Sequence, residues 1–237
     1  MSKEVFLKIY LDKYRRNKYT NVIKALAEKH NELNEKIFFN LEEKSKAYFS
    51  KLEGIYGSKY NYEDVDPGDV YEQMMDETFE YYEMEVLMEH NLILSLISTL
   101  FQVFEQQLRS LLYQELNHTH SVVKTKYKLN KFGTNMGEIQ EIFKLLDYDL
   151  KDSPYWNDIN ELNKLNNAFK HGQGNSFDKL IKLNPKLINT NKLEGVYTTN
   201  NEVIFDLNEV KFDKYSNAII NFWNDFPEHL TNHVKID

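Results

Sequence analysis

Between residues 69 and 117 the chain runs without one glycine or proline, and no other feature limits its fold so strongly. Strands of globular proteins are short and end at turn residues, so an unbroken run of this length has to be helix. Its first half is acidic and aromatic, with Tyr71, Met74, Met75, Phe79, Tyr82 and Met84. Its second half is apolar on more than one face: Leu92, Ile93, Leu94, Leu96, Ile97, Leu100, Phe101, Val103, Phe104, Leu108, Leu111 and Leu112. A helix apolar most of the way round is surrounded by other elements, which predicts a central helix. Glu105 and Arg109, at helical spacing inside the most apolar stretch, predict that it is buried in protein and does not span a membrane.

The remainder reads as helices of ordinary length. With eight glycines and four prolines in 237 residues, an all-α chain is favoured over a sandwich of short strands. Val22, Ile23, Leu26, Leu33, Ile37, Phe38, Leu41, Ala47, Tyr48 and Leu52 recur at three- and four-residue steps. They predict one long amphipathic helix over residues 19–56, preceded by a shorter one over residues 3–17. Asp66-Pro67-Gly68-Asp69 is a turn by composition. Residues 1–68 are therefore expected to form an N-terminal helical extension, and residues 69–237 the main helical domain.

Beyond the central helix, a short helix is expected over residues 135–148. Ser153 and Pro154 supply an N-cap and a first helical position for the next, which ends at Gly172. A further short helix is expected over residues 175–183, and a final one from Asp206 or Phe212 up to Pro227. Residues 196–199 and 202–205 flank Asn200-Asn201 as a small C-terminal β-hairpin would.

Composition narrows the chemistry. There is no cysteine, so disulfides and thiolate metal sites are excluded, and the charged N-terminus lacks the apolar segment of a signal peptide. The expected location is cytoplasmic, with no membrane partner. The formal net charge of -8 argues against general nucleic-acid binding, which relies on many phosphate contacts by lysine and arginine. RNA is admissible only at a local site. Arg15, Arg16 and Arg109 are the only arginines, so any task requiring a guanidinium has three candidates. No phosphate-binding glycine loop, nucleophile elbow or zinc-protease signature occurs, and no cofactor is expected.

Several polar clusters read as solvated surface. These are the His118-Thr119-His120 segment with Glu89 and His90, the pair His229 and His233 in an expected frayed end, and the basic run Lys124, Lys126, Lys128 and Lys131. No metal site is expected from them. The acidic stretch from Glu72 to Glu89 reads mostly as a wet helix face.

One helix end carries concentrated chemistry: Asn166-Asn167-Ala168-Phe169-Lys170-His171-Gly172. Leu162, Leu165 and Phe169 form the apolar stripe of this helix. Asn167 and His171 lie four residues apart on one face, with Asn163 one turn back. An amide can fix the tautomer of an imidazole, and a neighbouring ammonium supplies charge. Together they suit proton transfer on a phosphodiester. A second reading of the same residues is plain C-capping, since lysine and histidine in a last turn followed by glycine is what capping alone selects.

The run Leu162-Asn163-Lys164-Leu165-Asn166-Asn167-Ala168-Phe169-Lys170-His171-Gly172 resembles the signature helix of the HEPN superfamily. There an arginine, a polar residue, three variable residues and a histidine close a helix of a small bundle. Upstream, Phe104-Glu105-Gln106-Gln107-Leu108-Arg109-Ser110-Leu111 resembles the first signature helix of that superfamily.

The resemblance implies an all-α HEPN-like bundle acting as a metal-independent ribonuclease of the toxin or antiviral-defence kind. Two copies would pair to form one composite site. It implies His171 as the proton-transfer residue, Asn167 as its polar partner and Lys170 as a source of charge. Asn166, Lys164, Arg109 and Glu105 would lie along the substrate. Asn166 stands where the superfamily has its arginine, and an amide offers neither the charge nor the bidentate fork. Lys170 or Lys164 supplies that charge, or Arg109 reaches in from the facing helix, or the domain is a non-catalytic module that dimerises and docks on an antitoxin or effector protein.

Overall fold

The computed structural model describes residues 3–36, 40–59, 65–119, 133–172, 174–189 and 205–236. Among these the chain forms seven α-helices and one two-stranded sheet. In order they are β1 (Lys3–Tyr10), α1 (Lys13–Lys36), α2 (Leu41–Lys59), α3 (Pro67–Thr119), α4 (Met136–Leu145), α5 (Trp156–His171), α6 (Asn175–Leu183), α7 (Phe212–Asp225) and β2 (His229–Ile236). Short 3-10 turns occupy Leu150–Asp152 and Pro185–Leu187.

The breaker-free stretch is indeed one helix. α3 has 53 residues, which at 1.5 Å per residue makes it about 80 Å long. Among the described residues it alone is long and apolar enough to cross a membrane. Its apolar run packs instead against β1, α1, α5 and α7. Leu94, Ile97, Leu100, Phe101, Phe104, Leu108, Leu111 and Leu112 are buried there with Leu162 and Leu165 of α5 and Phe222 and Trp223 of α7. Polar pins fix the register within this apolar volume. Gln107 of α3 accepts from Trp223 Nε1 at 2.7 Å and donates to the Tyr19 carbonyl at 3.1 Å, tying α3 to α7 and α1. Both groups of this one amide are satisfied where an unpaired one would be costly.

The expected single helix over residues 19–56 is two helices. α1 ends at Lys36 and α2 begins at Leu41, after Asn40 at φ 55°. Asparagine is one of the few residues that tolerates this left-handed geometry, and both helices run antiparallel to α3, with Arg15 against Glu115 and Tyr19 against Gln107 from α1, and Lys44 against Glu85 and Tyr48 against Tyr81 from α2. Gly54 and Gly57, which read as terminators, lie inside α2 with open space where a Cβ would stand.

The expected helix over residues 3–17 is also corrected. Residues 3–10 are β1, antiparallel to β2 in register from Lys3 opposite Ile236 to Tyr10 opposite His229. Leu7 and Ile9 point into the main core, while Phe6 and Tyr10 face outward against the rings of His233 and His229. The segment expected to fray is therefore a paired strand. Because Leu7, Ile9, Leu11, Tyr19 and Ile23 join the main core, β1 and α1 belong to the body of the protein. Only α2, with the first part of α3, stands apart, around a small cluster of Leu52, Tyr56, Val70 and Met74.

The later elements lie close to expectation. Asn135 caps α4 by accepting from the Glu138 amide. Ser153 is not the N-cap, nor Pro154 the first helical position: they form a turn ahead of α5, which starts at Trp156 with Tyr155 as an N-cap that makes no side-chain capping bond. The expected hairpin lies outside the described residues up to Phe205, which bridges to Ile188 in antiparallel fashion. The basic run from Lys124 to Lys131 and His120 also lie outside them.

Candidate functional site

α5 is held by three faces of different chemistry. Its apolar face buries Trp156, Ile159, Leu162, Leu165 and Ala168. A second face carries Glu161, buried and accepting from Tyr215 Oη at 2.7 Å, Lys214 Nζ at 2.6 Å and Asn184 Nδ2 at 3.3 Å. This carboxylate fastens α5 to α7 and to the end of α6.

The third face is a polar seam against α3. Ser98, Gln102, Glu105 and Arg109 recur along α3 at steps of four, three and four, which places them on one side of the helix. They line up with Asn163, Asn166, Asn167 and Lys170 on α5. Gln102 Nε2 donates to Ser98 Oγ at 3.0 Å, and Ser98 Oγ donates to Asn166 Oδ1 at 2.6 Å. Asn166 Nδ2 donates to Asn167 Oδ1 at 3.4 Å, and Asn167 Nδ2 to Asn163 Oδ1 at 2.8 Å. Each donor hands on to the next acceptor, so the dipoles of the chain reinforce one another.

This seam decides where the expected site residues stand. Asn166, in the arginine position of the resembled motif, is 3% exposed and serves as the interhelical bond between α5 and α3. It is not placed to meet a phosphate. Asn167 bonds to Asn163 and Asn166.

Arg109 is engaged elsewhere. Its Nε donates to the Gly133 carbonyl at 2.5 Å, and its Nη2 lies 3.4 Å from the Thr134 carbonyl and 3.6 Å from Glu105. Glu105 accepts from the Met136 amide, and burial raises its carboxyl pKa against the opposing pull of Arg109 and Lys170. The pair anchors the chain entering α4. The other two arginines are also structural. Arg15 pairs with Glu115 at 2.7 Å, and Arg16 donates to the Trp223 and Asn224 carbonyls at the end of α7, a favourable place for a cation.

What is left at the helix end is cationic and open. His171 is the last residue of α5 and is exposed, as is Lys170. Gly172 closes the helix through its amide to the Ala168 carbonyl at 2.9 Å, with φ 69° and ψ -155°, a conformation essentially restricted to glycine. Lys164, Asn167 and His171 fall at i, i+3 and i+7, hence on one face.

Lys164 is half-buried, and its pKa is lowered first by that burial and then by the neighbouring charge of Lys179 on α6. Lys179 was not foreseen from the sequence, because only the packing of α6 on α5 brings it beside Lys164. Among the described residues no carboxylate lies within ion-pair distance of Lys164, Lys170 or Lys179. In a chain of net charge -8, the C-terminal half of α5 thus bears lysines outside any ion pair, with Glu105 of α3 as the nearby carboxylate that feels Lys170, and ends in an accessible imidazole.

The remaining histidines stand elsewhere. His90 is buried within α3, its ring centroid 6.0 Å from that of Phe205, and His118 lies in the last turn of α3. Among the described residues no three side chains of metal-ligating type converge. No known protein family, curated protein or solved structure matches the chain.

Proposed function

We propose that the end of α5 is an RNA-directed site of the HEPN-like ribonuclease kind, cleaving without a metal and completed by a second copy of the chain. The observation that carries this reading is the exposed His171 beside Lys170 on a helix that also carries Lys164 next to Lys179, with none of these lysines in an ion pair among the described residues. Lysines so placed favour a phosphate, and their charge matters most where negative charge grows during reaction. The chemistry suited to the site is attack of a ribose 2′-oxygen on the adjacent phosphorus. One imidazole takes the 2′ proton and another, protonated, gives a proton to the departing 5′-oxygen. The products are a 2′,3′-cyclic phosphate and a free 5′-hydroxyl. Two imidazoles are needed and each chain offers one at this place, which is the reason for pairing.

A second reading is favoured by the burial of Asn166 and the engagement of Arg109: a non-catalytic HEPN-like module that pairs or docks on an antitoxin or effector. The two separate cleanly by experiment. Purified wild type, His171→Ala and Lys164→Ala/Lys179→Ala are incubated with single-stranded RNA in chelator-containing buffer. Cleavage by wild type with cyclic-phosphate ends is expected, falling by about a hundredfold or more in His171→Ala, the usual scale for one acid–base group. The lysine variant is expected to weaken RNA binding. If wild-type protein that sediments as a dimer leaves the RNA intact, the non-catalytic reading takes its place.

A further inference from the structure

α2 and the first part of α3 form a two-helix arm whose own core is small, consisting of Leu52, Tyr56, Val70 and Met74 with Tyr48, Phe49 and Val65 against it. α2 covers one side of α3 through this cluster, through the stacked rings of Tyr48 and Tyr81 and through the Lys44–Glu85 ion pair. The adjoining side of α3 is left open. There Tyr71, Met75, Phe79 and Tyr82 are 55%, 47%, 61% and 37% exposed.

Their steps of four, four and three put them in one stripe. The stripe is about 16 Å long at helical rise. At its end Tyr71 meets Phe49 of α2 edge-on, with ring centroids 5.7 Å apart, so the open side is a groove with one wall on each helix. Contiguous apolar surface of this kind on a polar helix marks a place where another element sits.

The charge beside the groove says what that element is. Residues 67–90 hold eight carboxylates and no lysine or arginine. Glu72, Asp76 and Glu83 lie along the stripe at helical spacing, and none of them forms an ion pair among the described residues. A second copy laid stripe on stripe would set two such rows of carboxylates against each other, which costs energy along α3, while α2, with four lysines and three glutamates, is close to balanced. A helix with an apolar face flanked by lysine or arginine meets both requirements at once.

We infer that the α2–α3 arm is a docking site for a basic amphipathic helix of a partner protein, which completes a three-helix bundle with Tyr71, Met75, Phe79 and Tyr82 as its floor. The methionine and aromatic composition suits such a groove, because these side chains adapt to varied apolar faces. The site is separate from His171 and stands whether or not RNA is cleaved.

The test uses the full chain and a fluorescent peptide of about 18 residues, five helical turns, with leucines on one face and lysines on the other. A peptide with glutamates in place of the lysines is the control. Wild type is expected to bind the lysine peptide in a salt-sensitive way and to ignore the glutamate peptide. Met75→Ser/Phe79→Ser keeps every charge and removes only exposed apolar groups. It is expected to weaken binding by about tenfold or more, equal to about 1.4 kcal/mol. Glu72→Gln/Asp76→Gln/Glu83→Gln is expected to weaken it as well and to flatten its salt dependence. Equal affinity in wild type and the serine variant would mean attraction by charge alone and would overturn the proposal. So would failure of wild type to bind, or a concentration-dependent homodimer that the serine substitutions abolish.

Discussion

Asn166 accepts from a buried hydroxyl, Ser98 Oγ, at 2.6 Å and donates onward to Asn167, so its side chain is coupled in both directions. Truncation to alanine leaves the Ser98 hydroxyl without its acceptor in a dry seam. Asn166→Ala is expected to cost about 1–3 kcal/mol, the scale of an unsatisfied buried polar group. Replacing both partners by apolar groups is close to neutral in such cases, so Ser98→Ala/Asn166→Leu should recover most of the loss. Urea unfolding of the two variants checks this, and a double variant as weak as the single one would show that the bond is not what matters. The helix itself was legible from its spacing, and so were its apolar stripe and the terminating glycine. The roles of Asn166 and Arg109 were not, because each depends on a partner far along the chain: Ser98 lies 68 residues before Asn166, and Gly133 lies 24 after Arg109.

Among the elements, α5 and α7 are joined at Glu161 and Tyr215. Burial, and then the Glu161 carboxylate, push the Tyr215 phenol far above its ordinary value of 10.0. The native state therefore keeps the phenol protonated after the unfolded chain has begun to lose that proton. Stability from this group is whole below pH 10.0 and declines as pH rises beyond it, because the unfolded state then binds fewer protons. Tyr215→Phe is expected to cost about 1–2 kcal/mol near neutrality. It should also make thermal stability less sensitive to alkali than in wild type, measured as melting temperature against pH. Parallel decline of the two proteins above pH 10 would contradict the assignment.

At this scale the helices from α3 onward could be read from periodicity, capping and breakers, since those signals are local. β1 and β2 could not, because Val5-Phe6-Leu7 is an unbroken apolar run with no strand alternation and the partner that makes it a strand lies at residues 229–236. The break between α1 and α2 was hidden for another reason: one asparagine at φ 55° leaves the apolar spacing on either side almost undisturbed.

Over the whole molecule, stability is divided unevenly. The body gathers β1, α1, the later part of α3 and α4 to α7 around one large core, while the arm has its own small cluster. Opening free energy follows buried apolar contact. Amides of Leu41–Lys59 and of the first turns of α3 are thus expected to exchange with solvent faster than those of residues 94–112. Hydrogen exchange read by mass spectrometry resolves the two sets, and uniform protection along α3 would show that the arm is not a separate unit of stability. Added basic helix peptide should slow exchange in the arm and leave the body unchanged.

The pairing of Tyr10 with His229 and of Lys3 with Ile236 has a consequence for how the protein is made. β1 leaves the ribosome 219 residues before His229, the partner of Tyr10, can follow it. Until that partner strand emerges Leu7 and Ile9 have no sheet to belong to, and the nascent chain carries an unsatisfied strand edge that invites aggregation or a chaperone. Closure of the sheet comes late, after the helices that it rests on have already been synthesised.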